Sequence, residues 1–186
     1  MNFVDPIRDA ETVKDIGEYL KTIDYKWFVM YSIGIYSGLR ISDILNLKVR
    51  DVRGKQEIRL SHEIKKQTIK TQKKWLIFPI NAKLKKVLDV YTKDKKPWEW
   101  LIPNRYGAQV SRIYAYKIIH NAGLKFGLEN LGTHTMRKTF GYHFYMQTKD
   151  LVLLMKILNH SDESKTLRYI GIEQSTINDA MRKFKY

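Results

Sequence analysis

Cysteine is absent from the 186 residues. Its absence excludes disulfides, thiolate nucleophiles and cysteine-ligated zinc together, and suits a reducing cytoplasm. No charged n-region leads into an apolar run at the start, and no apolar stretch of about 18 residues follows, so the sequence reads as soluble and intracellular. No repeat, low-complexity tract or linker interrupts it. Carboxylates are scarce: 19 Asp and Glu face 34 Lys and Arg, giving a net charge of +15 and a pI near 9.8. Such a chain carries a long-range positive field, which selects nucleic acid or an anionic membrane surface as partner. The 44% hydrophobic content suits one domain with a full core, or two small ones, and excludes disorder.

The apolar pattern predicts mainly helices around one basic, strand-like interval. From Asp9 to Thr22, Val13, Ile16, Tyr19 and Leu20 make a helical stripe. The next segment, "YKWFVMYSIGIYS", is apolar on nearly every side and must be a buried helix, ended by Gly38. A further helix carries Ile41, Ile44 and Leu45 on one face, with Asp43 in its first turn. Residues 57–60 and 75–80 read as strands of a small antiparallel sheet, with the charged "EIKKQTIKTQKK" between them as a strand or hairpin outside the core. Helices are then expected at 82–92, 111–122, 133–147, 149–158, 162–169 and 175–184. Asn159 supplies a left-handed stop, and Ser161 caps the helix that follows.

Chemistry gathers first in "GTHTMRKTFG". A spacing of three on a helix is a rotation of about 60°, so His134 and Arg137 point the same way with Lys138 beside them, a set able to grip an anion. An isolated pattern of this kind is ordinarily a solvated basic face. Tyr169, one of 12 tyrosines, lies nine residues after His160 and alone means little.

Order and combination add meaning. "SGLRISDILNL" around Arg40, "IKTQKKWLIFPI" around Lys70, "THTMRKTFGYH", "LNHS" at His160 and "TLRYIGI" at Tyr169 resemble, in sequence order and over essentially the whole chain, the signature blocks of the tyrosine recombinases, the phage integrases. The resemblance implies a mainly helical catalytic domain with a small antiparallel sheet, in agreement with the periodicity. It implies an enzyme that cuts and rejoins DNA strands by transesterification through a covalent 3′-phosphotyrosyl link, with no metal or nucleotide cofactor, serving DNA integration or another mobile-element recombination. Arg40 and Arg137 would meet the charge on the attacked phosphate. Tyr169 would be the nucleophile, His134 a possible base, Lys70 in "KTQK" the general acid and His160 a hydrogen-bond donor to phosphate. Asp43 either orients the arginines or serves only the helix dipole. Lys65, Lys66, Lys73 and Lys74 crowd the same hairpin, and only the motif match selects Lys70 among them. Candidate DNA contacts are Lys66, Lys73 and Lys138, with Arg112 and Lys117 on a polar face that also holds Ser111 and Tyr114.

Three expectations concern organisation. The chain reads as a single catalytic domain, residues 1–186, with no separate core-binding domain ahead of it, so a natural minimal recombinase is favoured over a fragment. An apolar stripe of Ile177, Ala180, Met181 and Phe184 is expected either to pack in cis or to dock on a second copy on DNA, giving a homo-oligomer. Double-stranded DNA is the expected partner, with an accessory protein left open, in the cytoplasm at the nucleoid. Among rival classes, a metal-dependent nuclease lacks converging ligands, since His134 and His143 lie about 180° apart on one helix. A type IB topoisomerase needs room for an encircling clamp, and an RNA-binding protein would show an aromatic strand pair. A non-catalytic basic DNA-binding or architectural protein explains the charge equally well and is the standing alternative.

Overall fold

The computed structural model describes residues 4–64, 72–172, 181, 182 and 184, with backbone alone at 62–64 and 72–74. Helix α1 (Ala10–Ile23) starts where the Asp9 carboxylate accepts the Thr12 amide at 2.7 Å. Helix α2 (Tyr25–Ser37) is capped by Asp24, buried along most of its length, and stopped by Gly38 at φ 69°. Gly38 also has no room for a side chain: a Cβ would lie 2.4 Å from the Phe140 ring. Helix α3 (Ile41–Leu45) follows at once and turns Ile41, Ile44 and Leu45 into the core, as the pattern predicts.

Strands β1 (Glu57–Ile64) and β2 (Gln72–Pro79) pair antiparallel, from Glu57 opposite Pro79 to Ile64 opposite Gln72. The ladder runs further into the charged interval than periodicity suggests, because backbone pairing is set by the partner strand and tolerates charged side chains on a solvated face. Ile58 and Phe78 anchor its inner face. Helix α4 (Ala82–Thr92), capped by Asn81, buries Leu84 and Leu88.

Helix α5 (Arg112–Lys125) begins at Ser111, whose hydroxyl accepts the Tyr114 amide, and extends past the expected end at 122. Gly123 serves close packing rather than termination: a Cβ there would meet Leu131 at 2.5 Å. Helix α6 (Thr133–Thr148) ends at Lys149 in the left-handed conformation, φ 55°. Helix α7 (Leu151–Leu158) is capped by Asp150 and ends at Asn159, φ 51°, as expected. For helix α8 (Glu163–Tyr169) the expected cap is corrected. Asp162, not Ser161, accepts the Lys165 amide at 2.7 Å, because the carboxylate sits at the position facing that amide. No helix of the described residues is long and apolar enough to cross a membrane. The expected helix over 175–184 lies mostly outside the described residues; of the few described there, Met181 and Phe184 are exposed.

Two apolar clusters result. The larger joins α1 to α5, the sheet and Met136 of α6; the smaller joins Leu154, Leu158, Ile170 and Ile172 with Phe140 and Phe144. Helix α6 therefore belongs to both. Its Met136 packs against α2 so tightly that a Cβ on Gly34 would lie 2.8 Å away, while Gly141 lets Ile170 approach its other side. A helix buried on two sides needs no single apolar stripe, and its chemistry sits on the seam between the clusters.

Candidate active site

Arg137 holds that seam. Only 4% exposed, it donates one hydrogen bond to the Gly38 carbonyl at 2.5 Å and another to the Leu158 carbonyl at 2.6 Å, tying the end of α2 to the end of α7. A planar guanidinium can span two such acceptors and still present an edge to a third group. Burial, its largest perturbation, lowers its pKa, while the adjacent Tyr169 and Asp43 favour the charge.

Arg40 enters from α3, directly after buried Leu39, at the helix cap position, half-buried. Its charge is felt at His134, Arg137, His160 and Tyr169 alike, which places it among all four. His134 opens α6 at the surface. Partial desolvation, then the charges of Arg112, Arg137, Lys138 and Arg40, hold its pKa below 6.5. A neutral imidazole is thereby favoured at neutral pH.

His160 follows the left-handed turn at Asn159. The buried Thr166 hydroxyl donates to the Asp162 carbonyl at 2.7 Å, so toward His160, 3.1 Å from Nδ1, it can only accept. Nδ1 therefore carries the hydrogen, and Nε2 is the nitrogen left to face the site. Burial first, then Arg137 and Arg40, lowers this histidine's pKa too.

Tyr169 closes α8. Its ring meets the His160 ring edge-on, centroids 5.1 Å apart at 90°, and the Lys138 ammonium lies 5.2 Å from its centroid. Burial raises its pKa; the charge and hydrogen bond of Arg137, then Arg40, act in the opposite sense. The arrangement is a phenol, protonated at neutral pH, beside two guanidiniums and two imidazoles held toward their neutral form.

The structure thus brings together Arg40, His134, Arg137, His160 and Tyr169, with Asp43 and Arg112 close enough to act electrostatically on Arg137 and His134. Lys117 is exposed on α5. Lys70 and Lys66 lie outside the described residues, as does the side chain of Lys73. Lys138 is placed otherwise than expected of a phosphate contact: 6% exposed, it donates to the Val4 carbonyl at 2.7 Å. Helical spacing puts it beside Arg137, but that side of α6 faces the chain's N-terminal segment. Sequence reasoning also missed Thr166 and the carbonyls of Gly38 and Leu158. The threonine six residues after His160 is a usable signal; the carbonyls leave none.

A mainly helical domain with an antiparallel strand pair, bringing two arginines, two histidines and a tyrosine together, defines the donor and nucleophile set of a phosphoryl-transfer class. The chain belongs to the phage integrase family, the tyrosine recombinases, DNA strand-transferring enzymes whose family pattern, described as "Phage integrase family", matches residues 8–175. The probable integrase/recombinase YoeC of Bacillus subtilis (strain 168) is 43% identical over 185 residues, covering 99% of this chain and 98% of that protein. Two further relatives at 26% and 25% identity are longer, and the chain spans 66% and 53% of them. The XerA recombinase crystal structure superposes with a TM-score of 0.73 at 18% identity, over 99% of this chain and 68% of that one. XerH bound to palindromic difH substrate, a post-cleavage complex, gives 0.68 at 18% identity, over 98% and 54%. At such identities the superpositions establish the fold.

Proposed function

We propose that this chain is the catalytic domain of a site-specific DNA recombinase that cuts and rejoins strands through a covalent 3′-phosphotyrosyl intermediate on Tyr169. The observation that carries the reading is the placement of that phenol between Arg137 and His160, with the charge of Arg40 reaching it. A scissile phosphate seated against Arg40 and Arg137 replaces the water both guanidiniums would otherwise hold. Negative charge growing on its non-bridging oxygens then meets donors that need no rearrangement.

The phenolic oxygen forms a new bond to phosphorus as the bond to the 5′-oxygen breaks. One phosphoester replaces another, so rejoining is the same step reversed and consumes no nucleotide. The tyrosine proton needs an acceptor, and a His134 kept neutral by its cationic neighbours suits that role. His160 donates through Nε2 only as an imidazolium, a form that a bound phosphate dianion-like transition state favours by its charge. The departing 5′-oxygen takes a proton from a hairpin lysine, for which Lys70 is the choice. Exposed Arg112 and Lys117 supply backbone contacts from α5. Assembly of copies on double-stranded DNA through residues 175–184, and action at the nucleoid, belong to the same proposal.

The test starts from the DNA sequence recovered by selecting bound duplexes from a random pool. A duplex of that sequence, nicked so that the leaving strand diffuses away, traps an adduct, because religation lacks its 5′-hydroxyl. Tyr169→Phe forms none, yet folds and binds, since one oxygen hardly changes volume. An adduct persisting in Tyr169→Phe, or cleavage that requires added divalent metal, sinks the mechanism. DNA binding without any adduct leaves the non-catalytic DNA-binding reading.

A further inference from the structure

Residues 4–8 precede the first helix, yet they are bound to the far end of the chain. The Ile7 amide donates to Thr139 Oγ1 at 2.9 Å, and the Ile7 carbonyl faces His143 Nε2 at 3.0 Å, so the segment lies along α6 as a strap. At one end of this strap the Val4 carbonyl receives the Lys138 ammonium at 2.7 Å. At the other, the Arg8 guanidinium donates to the Gly171 carbonyl at 2.9 Å and lies 5.9 Å from the Tyr142 ring centroid. Pro6 closes on the same turn: a Cβ on Gly171 would meet its ring at 3.2 Å, and Gly171 has φ 73°.

Both ends of the strap therefore converge on Tyr169. Lys138 is held against the face of its ring, and Arg8 fixes the carbonyl two residues beyond it. Burying an ammonium is costly, and burial does pull the pKa of Lys138 down, with the charge of Asp5 opposing. A lysine needed only to fasten the N-terminal segment could sit at the surface and avoid that cost.

We propose that Lys138 and Arg8 are positioning residues for Tyr169, through which the strap at residues 4–8 fixes the ring and the turn after it in register with Arg137. The inference rests on Tyr169 being the nucleophile, but its geometric half can be read without any DNA. It assigns no bond-making to either cation. Misplacing a reacting group by about 1 Å costs on the order of 10²-fold in rate, which is the scale available to such a device.

The experiment uses the full chain with 3-fluorotyrosine introduced in place of Tyr169, observed by fluorine NMR in the free protein. Parallel samples carry the native tyrosine and are assayed for adduct on the nicked duplex described above. Lys138→Met and Arg8→Ala are each expected to shift or broaden the fluorine resonance. They should slow adduct formation roughly 10- to 100-fold, with unchanged affinity for that duplex, and Arg8→Lys should recover part of the rate. Arg8 is exposed, so its variants keep the fold and decide the question even if Lys138→Met unfolds. An unmoved resonance in Arg8→Ala, or a native adduct rate in it, overturns the proposal. Adduct formation by Tyr169→Phe would instead overturn the nucleophile, while the fluorine resonance still judges the strap.

Discussion

Removing Arg137 should unfold the seam as well as the chemistry, and the two losses can be separated. In Arg137→Met the charge disappears and the volume is roughly kept, but the Gly38 and Leu158 carbonyls lose the donors that reach them at 2.5 and 2.6 Å. Hydrogen bonds from a charged donor are worth about 1.5–3 kcal/mol each, so the gross loss is roughly 3–6 kcal/mol. Against this stands the relief of no longer burying a guanidinium that is 4% exposed. Breaking such a buried arrangement from one side still ends destabilising, and a net loss of about 2–4 kcal/mol is expected. At about 2–4 °C per kcal/mol for a domain of this size, Tm should fall by roughly 4–16 °C. Arg137→Lys, a point charge that reaches one carbonyl but not both, should fall between. Arg40→Met is the control: Arg40 is half-buried and makes no side-chain cap bond, so stability should change by less than about 1 kcal/mol while adduct formation is lost. Thermal and urea unfolding monitored by circular dichroism read all three variants. An Arg137→Met protein that melts with the native one would refute the claim that this side chain joins the two clusters, leaving it a role in catalysis alone.

Stability should also fall as pH drops below the usual histidine value of 6.5. The folded pKa values of His134 and His160 lie lower than that, so the unfolded chain binds more protons there, and the loss continues down to the folded values. Urea unfolding across this window in a His134→Gln, His160→Asn double variant should show a flatter slope, and an unchanged slope contradicts the assignment. Above pH 10 the sign reverses for Tyr169, whose raised pKa favours the unfolded state as the phenol ionises, and Tyr169→Phe should remove that component. Gly141→Ala places a Cβ 2.7 Å from Ile170 Cγ2, immediately after the proposed nucleophile. Overpacking of about 1–3 kcal/mol, partly offset by about 1 kcal/mol of helix propensity, should lower stability modestly, whereas adduct formation should fall steeply. Equal stability and equal adduct rate would show that α8 yields without moving the tyrosine.

Much of the fold was legible because its determinants are neighbours in the chain. Asp9, Gly38 and Asn159 act within one turn of themselves, and the stripes of α1, α3 and α7 repeat at the helical period, so local physics suffices to place them. The order of the motif blocks around Arg40, His134, Arg137, His160 and Tyr169 was legible for a different reason: resemblance carried it, and periodicity alone gave only the common face of His134 and Arg137. Lys70, Lys66 and the C-terminal segment stay with that resemblance.

What the sequence by itself determined, then, is the sequence of elements, the basic charge that selects a polyanion, and the residue types available for phosphoryl transfer. Tertiary structure decided what those residues face. Lys138 stands beside Arg137 on the helix, yet it lies inward on the Val4 carbonyl, 134 positions away in the chain. Arg137 is anchored by carbonyls 99 and 21 positions away, and a carbonyl is present at every residue, so no residue type marks the two that matter. Asp162 displaced Ser161 as a cap because orientation at the helix entrance, not propensity, picks between adjacent acceptors. The placements of Lys138 and Arg137 depend on which distant backbone a fold brings within about 3 Å, and hydrogen bonding falls off too steeply for any pattern along the chain to encode it.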